Sequence, residues 1–366
     1  MFASIKAEYP KNNYPIYISD NLMDNLKAYL KNFNKSSIFI IADNFFNNNS
    51  NIDNININDL FNNYDHIFIK GGVESKNIKN VLNIFQKLNE INLHKDGCIL
   101  SIGGGVIGDL SGLIASIYKR GINLVHVPTT LTSAVDSVVG GKTGINMFNN
   151  VNLLGTYYHP ICTFIDLRFL KSLSDRDMRS GISESIKKSI MYDKDFFDFL
   201  LNNCSKLILK DMSYLYELIK RSIEIKLLLT TNDEKEKSSR LLLNYGHTFG
   251  QAIESEYGIN ENKLKHGEAI SLGMICAAKL SNLLFDNNLI IQHKEILQSF
   301  NLPTNISECK NLDYPNINNL IKNINNDKKK TSKGSRFITC KKIGYGNIDY
   351  VNDEKLIEEC FNFVLT

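Results

Sequence analysis

The sequence lacks any strong excess of charge of one sign. Its 42 lysine and arginine residues are almost balanced by 39 aspartate and glutamate residues, which leaves a formal net charge of +3 at pH 7. Proteins that bind nucleic acid usually carry a large positive excess, because contacts to phosphate dominate their affinity. The charge therefore indicates no nucleic-acid partner, and it is compatible with a local basic pocket for an anionic small molecule.

Paired cysteines and long apolar segments are lacking as well. The seven cysteines are scattered without a CxxC motif, and several lie inside apolar runs such as "CILSI" and "GMICAAK". We therefore expect reduced, buried thiols in a cytoplasmic protein. No apolar run approaches membrane-spanning length, and the start, "MFASIKAEYP", shows no secretory signal. The expected protein is soluble and has no membrane partner.

The first half of the sequence alternates short apolar runs with segments of helical period. The segments "ESKNIKNVLNIFQKLNEIN" and "VIGDLSGLIASIYKR" repeat apolar residues at intervals of three and four. Between such segments lie runs that read as buried strands. These runs are Ser37–Asp43, His66–Lys70, Cys98–Ile102 and Asn123–Pro128. Strand–helix–strand alternation predicts an α/β domain with a parallel sheet covered by helices.

The pattern changes after "FIDLRFLKSLS". From Asp177 onward long amphipathic segments dominate, for example "YLYELIKRSIEIKLLLTTNDE". A chain of 366 residues is long enough for two domains, each with its own core. We therefore place a boundary near Leu167 and predict an α/β domain over residues 1–167 and a mostly helical domain over residues 168–366.

A glycine-rich turn follows one predicted strand. Gly103, Gly105 and Gly108 have G-x-G-x-x-G spacing in "CILSIGGGVIGDLSG". Such glycines let the backbone approach a pyrophosphate whose charge is met by a helix N-terminus. The acidic residue expected about twenty positions later is missing, and Asp43 is a substitute candidate for binding a ribose hydroxyl. Alone, the motif fits a dinucleotide site and a merely tight strand–helix turn equally well.

Two histidines lie in "NYGHTFGQAIESEYGINENKLKHGEA". A second histidine four residues after His247 would share its helix face and suit zinc, but that position holds Gln251. Alone, His247 is better explained as a hydrogen-bonded core histidine. With Glu184 and His266 it could form a site of two histidines and one glutamate, which leaves an open coordination position, as in catalytic zinc sites.

Other ionisable residues have a structural and a functional interpretation. Glu184 and Lys187 lie three apart in "SGISESIKKSI", which usually means a solvated ion pair, although uncharged residues flank them here. Downstream, a polar stripe would form if the segment were one helix, and a solvated face or a loop is the alternative. The stripe comprises Glu236, Arg240, Asn244 and His247.

Six blocks, in order, resemble the 3-dehydroquinate synthase family of NAD- and metal-dependent enzymes. The blocks are "GGGVIGDLSGLIASIYKRG", "VPTTLTSAVDSVVGGKTGIN", "DLRFLKSLSDRDMRSGISESIKKS", "DEKEKSSRLLLNYGHTFGQAIE", "HGEAISLGM" and "DKKKTSKGSRF". They span most of the chain from Gly103 to Phe337. The resemblance implies an N-terminal, Rossmann-like nucleotide-binding α/β domain and a mostly helical, metal-binding C-terminal domain, in agreement with the division above.

The resemblance also assigns roles to residues. Glu184, His247 and His266 fall on the family's metal ligands, with Zn²⁺ or Co²⁺ as the expected metal. Together with Asp43, the expected NAD contacts are Glu74, Lys76, Gly105, Val106, Ile107, Gly108, Asp109, Thr129, Thr130, Lys142, Phe169, Leu170, Lys171 and Ser172. Expected catalytic positions are Lys142, Lys187, Glu236, Arg240 and Asn244. Expected substrate contacts are Arg120, Asp136, Asn152, Lys226 and Lys328. Because Arg120 matches an arginine that the family supplies across a dimer interface, a homodimer is expected.

Three positions depart from the family pattern. Gln251 replaces the second histidine of "GHTxGH", and an amide cannot transfer a proton near neutrality. Val151 stands where the family has a lysine beside Asn152, and Val73 stands where a glutamate usually contacts the adenosine end of NAD. We expect the two valines to weaken NAD binding.

The implied reaction converts 3-deoxy-D-arabino-heptulosonate 7-phosphate into 3-dehydroquinate and phosphate. It is a lyase step of the shikimate pathway, which leads to chorismate and the aromatic amino acids. The family's scheme oxidises the C5 hydroxyl with NAD, eliminates phosphate, returns the hydride and closes the ring by an aldol reaction. Because the substrate's own phosphate can act as the base, we expect turnover to be reduced but present despite Gln251.

Three alternatives to this function remain open. Another sugar-phosphate cyclase would act on glucose 6-phosphate or sedoheptulose 7-phosphate, but retained Lys226, Arg240 and Asn244 favour the carboxylated substrate. A metal-dependent alcohol dehydrogenase resembling glycerol dehydrogenase would produce net NADH. A non-catalytic homologue would bind ligands without turnover, and only the three departures support it.

Overall fold

The computed structural model describes residues 1–10, 12–49, 51–148, 150–258, 263–309, 312–326, 330–331 and 334–366. These residues form two compact units. The first unit comprises Met1–Ser174 and Lys210–Thr231, and the second comprises Asp175–Leu209 and Asn232–Thr366. The chain therefore leaves the first unit, returns to it once, and leaves again.

Strands and helices alternate in the first unit, and helices dominate the second. The strands are β1 (Phe2–Glu8), β2 (Asn13–Ser19), β3 (Ile38–Asp43), β4 (Asn51–Ile52), β5 (Ile55–Asn56), β6 (Asp65–Ile69), β7 (Cys98–Gly103), β8 (Asn123–Pro128), β9 (Lys142–Met147), β10 (Asn150–Tyr157), β11 (Cys162–Asp166), β12 (Lys330–Thr331), β13 (Gly334–Lys342) and β14 (Tyr345–Val351). The helices are α1 (Met23–Leu30), α2 (Phe45–Asn48), α3 (Asn58–Asn63), α4 (Ile78–Glu90), α5 (Gly105–Ile117), α6 (Asp175–Tyr192), α7 (Lys194–Asn202), α8 (Cys204–Ile208), α9 (Met212–Thr231), α10 (His247–Glu256), α11 (His266–Phe285), α12 (Ile290–Ser299), α13 (Ile317–Asn326) and α14 (Glu354–Leu365).

The first unit is built on a seven-stranded sheet in the order β1-β2-β11-β8-β7-β3-β6. Only the edge strand β1 runs antiparallel to its neighbour. Both faces of the sheet are covered by helices. The residues of β3 show this, because successive side chains point to opposite faces and pack in different cores. Ile38 and Ile40 pack with α1 and α3, and Phe39 and Ile41 pack with α4 and α5. The predicted parallel α/β sheet is confirmed, and its strand ends bring the nucleotide-binding candidates together.

Helix α9 belongs to the first unit although three helices of the second unit precede it. The hydroxyls of Tyr9 and Thr230 lie 2.7 Å apart, and Tyr216 donates a hydrogen bond to the carbonyl of Phe2. The predicted domains, 1–167 and 168–366, therefore differ from the observed units in two places. The first unit extends to Ser174 and regains 210–231, because an amphipathic pattern predicts a helix without specifying which core it joins.

The second unit packs several helices around α11. This helix contacts α6, α10, α12 and α14, and the sheet of β12, β13 and β14 lies against it through β13. Among the described residues, α11 is the one helix long and apolar enough to cross a membrane, but 67% of its apolar window is buried. Such burial is typical of the core helix of a soluble protein.

Candidate active site

Three ligand-type side chains converge in the second unit. The Nε2 atoms of His247 and His266 lie 3.8 Å and 3.5 Å from Oε1 of Glu184, and one ligand atom from each residue lies within 4.8 Å of the other two. Glu184 comes from the middle of α6, whereas His247 and His266 are the first residues of α10 and α11. Three segments far apart in sequence thus form one candidate metal centre.

The far side of each imidazole is also held. Nδ1 of His247 lies 3.2 Å from the carbonyl oxygen of Tyr245, and Nδ1 of His266 lies 3.3 Å from Oε2 of Glu254. An Nδ1–H that donates to such an acceptor leaves Nε2 free to bind a metal. Burial disfavours the imidazolium of His266, but the carboxylates of Glu254 and Glu184 outweigh it and raise the pKa of His266 to about 10. The site therefore strongly favours a positive charge at this position.

Glycines allow the three helices to approach closely enough to form this cluster. A Cβ on Gly267 would overlap the backbone of Ser180, whose hydroxyl accepts a hydrogen bond from the Gly267 N–H at 3.0 Å. A Cβ on Gly273 would lie 2.6 Å from the backbone nitrogen of Gly250 and would overlap the carbonyl oxygen of Gly246. Contacts this short leave no room for any side chain at Gly267 or Gly273, so the cluster depends on them.

The donor set fits a divalent transition metal. Two imidazole nitrogens and one carboxylate oxygen are ligands that Zn²⁺ accepts, and atoms about 2.0–2.2 Å from one ion lie roughly 3.3 Å apart. The observed Nε2 to Oε1 distances are close to that value. Beside the cluster, Lys187 donates to the other oxygen of Glu184, and both side chains are only 2% exposed. Of the two interpretations weighed above, the structure shows a buried ion pair rather than a solvated one, and Lys187 fixes the carboxylate.

A second group of predicted residues lies in the loop before α10. Asn244 donates to the carboxylate of Glu236, and Arg240, which is 2% exposed, donates to the carbonyl of Glu234. Glu236 has a φ of 58°, a left-handed conformation that is uncommon for a non-glycine residue. The helical stripe considered above is not observed, because this segment is a loop followed by a 3₁₀ turn over Ser239–Asn244.

Asp233 organises that loop. Its carboxylate accepts hydrogen bonds from the backbone N–H groups of Lys237, Ser238 and Arg240 at 2.8, 2.6 and 3.1 Å. Burial would raise the pKa of Asp233, but these backbone donors lower it below its ordinary value. The ionised carboxylate is therefore the form that holds the backbone of this loop, next to Glu236, in place.

We expect Asp233→Asn to lower the free energy of unfolding by about 1–2 kcal/mol at pH 7, because a neutral amide accepts these hydrogen bonds less strongly. Since the folded-state pKa is depressed, this stabilisation is present above about pH 4 and is lost as the pH falls through the folded-state pKa. Urea denaturation at pH 7 and at about pH 3 measures the difference, which should shrink in acid. The control Asp353→Asn affects a carboxylate that accepts from one backbone N–H, and a larger loss there would contradict the assignment.

In the first unit, the glycine-rich turn joins the end of β7 to the start of α5, as predicted. A Cβ on Gly104 would lie 3.0 Å from Cγ2 of Thr130, and one on Gly105 would lie 3.1 Å from Oγ of Ser137. The glycines therefore let the turn pack against the segment after β8, while the first N–H groups of α5 point outward from the helix. This arrangement fits a pyrophosphate at a helix N-terminus.

Asp43, the candidate for binding a ribose hydroxyl, lies at the end of a neighbouring strand. Asp43 ends β3, and Oδ2 of its carboxylate lies 2.6 Å from where a Cβ of Gly71, just past β6, would be. Burial raises the pKa of Asp43. Because β6, β3 and β7 are adjacent parallel strands, Asp43 and the glycine-rich turn lie at the same edge of the sheet, where α/β folds bind their ligands.

Lys76 connects a predicted cofactor residue with a predicted substrate residue. Its ammonium group donates to the carboxylate of Asp109 and to the amide oxygen of Asn152. Lys76 is 8% exposed and Asp109 is 21% exposed in their side chains. Burial raises the pKa of Asp109, and Lys76 partly offsets this effect. The three residues come from separate segments, so their meeting is a result of the fold.

We expect Lys76→Met to lower the free energy of unfolding by about 2–3 kcal/mol, because it leaves a partly buried carboxylate without its cation. The double variant Lys76→Met/Asp109→Asn should recover most of this loss, which thermal unfolding would measure. The exposed pair Lys87–Glu90 supplies the control, because Lys87→Met should change stability by less than about 0.5 kcal/mol. Equal losses in the single and double variants would contradict the assignment.

The remaining predicted residues have mixed environments. Lys226 pairs with Asp136 at 3.0 Å, whereas Lys142 lies exposed at the start of β9. Phe169 and Leu170 are buried in the core, so a cofactor contact from them would use backbone atoms. Four further predicted cofactor residues also lie in the first unit, namely Ile107, Thr129, Lys171 and Ser172. Ile107 is fully buried against Gly103, and Lys171 pairs with Asp53 at 2.8 Å. Val106 and Thr130 are half-buried, and Glu74 is exposed.

The remaining positions include Lys328 and two that depart from the family pattern, Val151 and Gln251. Lys328 lies outside the described residues. Val151 is 47% exposed on β10, and Gln251 is half-buried one helical turn after His247.

The sequence analysis missed Asp233 and Glu254. The signal for Glu254 was available, because it lies seven residues, or two helical turns, after His247 and thus shares its face.

Comparisons with known proteins place the chain in one family. The domain families 3-dehydroquinate synthase N-terminal and 3-dehydroquinate synthase C-terminal match residues 66–180 and 181–330. The 3-dehydroquinate synthase of Dictyoglomus thermophilum is 37% identical over 345 residues, which cover 93% of this chain and 92% of that protein. The one from Thermodesulfovibrio yellowstonii is 40% identical over 286 residues, 78% of each chain.

A solved structure shares the fold. It is 2-deoxy-scyllo-inosose synthase complexed with carbaglucose-6-phosphate, NAD⁺ and Co²⁺, with a TM-score of 0.85 and 22% identity over 99% of this chain and 100% of that one. Both family domains match in order, and relatives of 37% and 40% identity cover most of the chain. The chain belongs to the 3-dehydroquinate synthase family.

Proposed function

We propose that the chain converts 3-deoxy-D-arabino-heptulosonate 7-phosphate into 3-dehydroquinate and phosphate, with NAD and either Zn²⁺ or Co²⁺ as cofactors. The observation that carries the proposal is the convergence of Glu184, His247 and His266 in a chain of this family. A structural relative was solved with NAD⁺ and Co²⁺. These residues leave a coordination position for substrate, which a catalytic metal requires.

In the second unit, Glu184, His247 and His266 would hold the metal, which when bound would polarise a substrate hydroxyl and lower its pKa. Lys187 holds Glu184 in one orientation and adds positive charge beside the centre. Glu236 is oriented by Asn244, so we assign it as an acceptor for a substrate hydroxyl. Arg240 suits an oxyanion of the substrate.

In the first unit, the glycine-rich turn and Asp43 would bind the pyrophosphate and a ribose of NAD, which when bound accepts and returns a hydride. Asp136 and Asn152 are assigned to the substrate, and each is oriented by a lysine, Lys226 and Lys76 respectively. Val73 and Val151 provide no charge at their positions. We therefore assign weakened NAD binding to them, and retained turnover to a substrate whose phosphate serves as its own base despite Gln251.

We also assign a homodimer formed through β10. This strand is the edge of a two-stranded sheet, and Val151, Leu154 and Tyr157 are 47%, 45% and 42% exposed on it. Exposed apolar edge strands invite pairing with another chain. Arg120, just after α5, is exposed and has a φ of 64°, a strained conformation that suits a functional arginine.

A cytoplasmic location is part of the same proposal. All seven cysteines are free, and five of them are buried. Burial raises the pKa of the Cys98, Cys162, Cys340 and Cys360 thiols to about 12. Such thiols are typical of a protein that functions in a reducing compartment.

The test is phosphate release from the heptulosonate substrate, with and without NAD and a chelator. We expect release that requires both NAD and metal and that produces no net NADH. No release above a metal-stripped control, at saturating NAD and Zn²⁺ or Co²⁺, would overturn the proposal. Net NADH would indicate a dehydrogenase, and preference for glucose 6-phosphate or sedoheptulose 7-phosphate would indicate another cyclase.

A further inference from the structure

We infer that Glu254 is a positioning residue of the metal centre, which holds the His266 imidazole in the orientation that binds the ion. The inference rests on the proposed metal centre. It adds a residue that neither the sequence analysis nor the three-ligand cluster includes. Glu254 touches neither the metal nor the substrate in this assignment, and it acts through His266.

The His266 imidazole lies between two carboxylates. Its Nδ1 is 3.3 Å from Oε2 of Glu254, and its Nε2 is 3.5 Å from Oε1 of Glu184. The His266 side chain is 37% exposed, whereas that of Glu254 is 16% exposed. Because Nδ1 of His266 meets the Glu254 carboxylate, this hydrogen bond sets both the tautomer and the ring orientation of the imidazole.

The two histidines are held in different ways. Nδ1 of His247 meets a backbone carbonyl, that of Tyr245, which no side-chain substitution removes. Nδ1 of His266 meets a side chain instead. A substitution at residue 254 can therefore change how firmly the His266 imidazole is oriented. No side-chain substitution removes the acceptor of His247, so His247 serves as the unaffected comparison.

Helix α10 supplies both the His247 ligand and the group that orients the other histidine. Glu254 lies two turns after His247, on the same face of α10. The close contact of Gly250 and Gly273 sets the spacing of α10 and α11, and with it the distance from Glu254 to His266. A short side chain at 254 would not span that distance.

Metal affinity of the full-length protein tests the inference without any substrate. Metal-free wild type, Glu254→Gln and Glu254→Ala are titrated with Co²⁺, followed by visible absorption, and with Zn²⁺, followed by calorimetry. We expect Glu254→Ala to bind about 10- to 100-fold more weakly, with an altered Co²⁺ spectrum. We expect a smaller loss for Glu254→Gln, because its amide oxygen can still accept from Nδ1–H.

Glu256→Gln is the matched control on the same helix, because Glu256 accepts from Asn319 in α13 rather than from a histidine. It should bind both metals as the wild type does, and the melting temperatures of the metal-free proteins check folding. Wild-type affinity and spectrum in Glu254→Ala would overturn the inference. A wild type that binds no metal would overturn the metal centre as well. Because the titration contains no substrate, a lack of turnover would overturn only the proposed reaction.

Discussion

Glutamine in place of Glu184 is expected to remove the bound metal and to lower turnover by about 10²- to 10⁴-fold, because a Lewis-acid metal contributes several kcal/mol to transition-state stabilisation. Glu184 is 2% exposed. One of its oxygens faces both histidine Nε2 atoms, and the other accepts from Lys187. A neutral amide keeps the shape but supplies no charge to balance the cation. Elemental analysis of the purified variant and phosphate release measure the two effects.

The same substitution leaves the Lys187 ammonium group buried without its carboxylate. Breaking such a pair costs about 3–5 kcal/mol, so loss of folding must be separated from loss of metal. The double variant Glu184→Gln/Lys187→Met should regain much of the stability while remaining metal-free. Glu224→Gln, at an exposed position near Lys220, should leave both metal content and turnover unchanged. Stoichiometric metal and normal turnover in Glu184→Gln would contradict the assignment.

The second large effect is expected at Gly267, where no ligand is altered. Alanine there would overlap the backbone of Ser180 and force α11 away from α6, which separates His266 from Glu184. Overpacking of this kind costs about 1–3 kcal/mol, and a displacement of about 1 Å in a catalytic group can lower the rate about 10²-fold. Thermal unfolding and phosphate release would show both losses.

A control for Gly267→Ala must alter α11 without moving it. Leu284 lies near the other end of the helix and is 38% exposed. Leu284→Ala should therefore leave turnover unchanged. If Gly267→Ala retained wild-type metal affinity and turnover, the separation between α6 and α11 would not control the geometry of the centre.

The parts of the fold that sequence predicts are those determined locally. The continuous apolar run in "SIFIIAD" identifies β3, and the glycines after "CILSI" identify the turn into α5, because both depend on neighbouring residues. The placement of α9 in the first unit depends instead on tertiary partners such as Tyr9, which no local pattern specifies. Of the two alternatives for the segment from Glu236 to His247, the structure shows the loop rather than one helix, and Asp233 holds the backbone there in a turn.

In the candidate site, too, local patterns do not specify which distant segments come together. Spacing alone favoured a core histidine at His247, since its ligand partners come from two other helices. The residues allowed a site with Glu184 and His266, the family resemblance assigned it, and the structure brings all three together. The roles of the surrounding residues remain predictions. Glu254 was missed although its helical spacing from His247 was visible. A carboxylate two turns after one histidine indicates no role until the structure shows that the second histidine, His266, lies beside it.

The return of α9 has a consequence for biosynthesis of the polypeptide. A ribosome that has completed residue 174 has made the whole seven-stranded β-sheet of the first unit but not the helix that supplies Thr230 to Tyr9 and Lys226 to Asp136. The first unit therefore cannot reach its final form until residues 210–231 have emerged. A fragment ending at Ser174 should aggregate or require a chaperone, and adding α9 as a separate peptide should rescue its solubility.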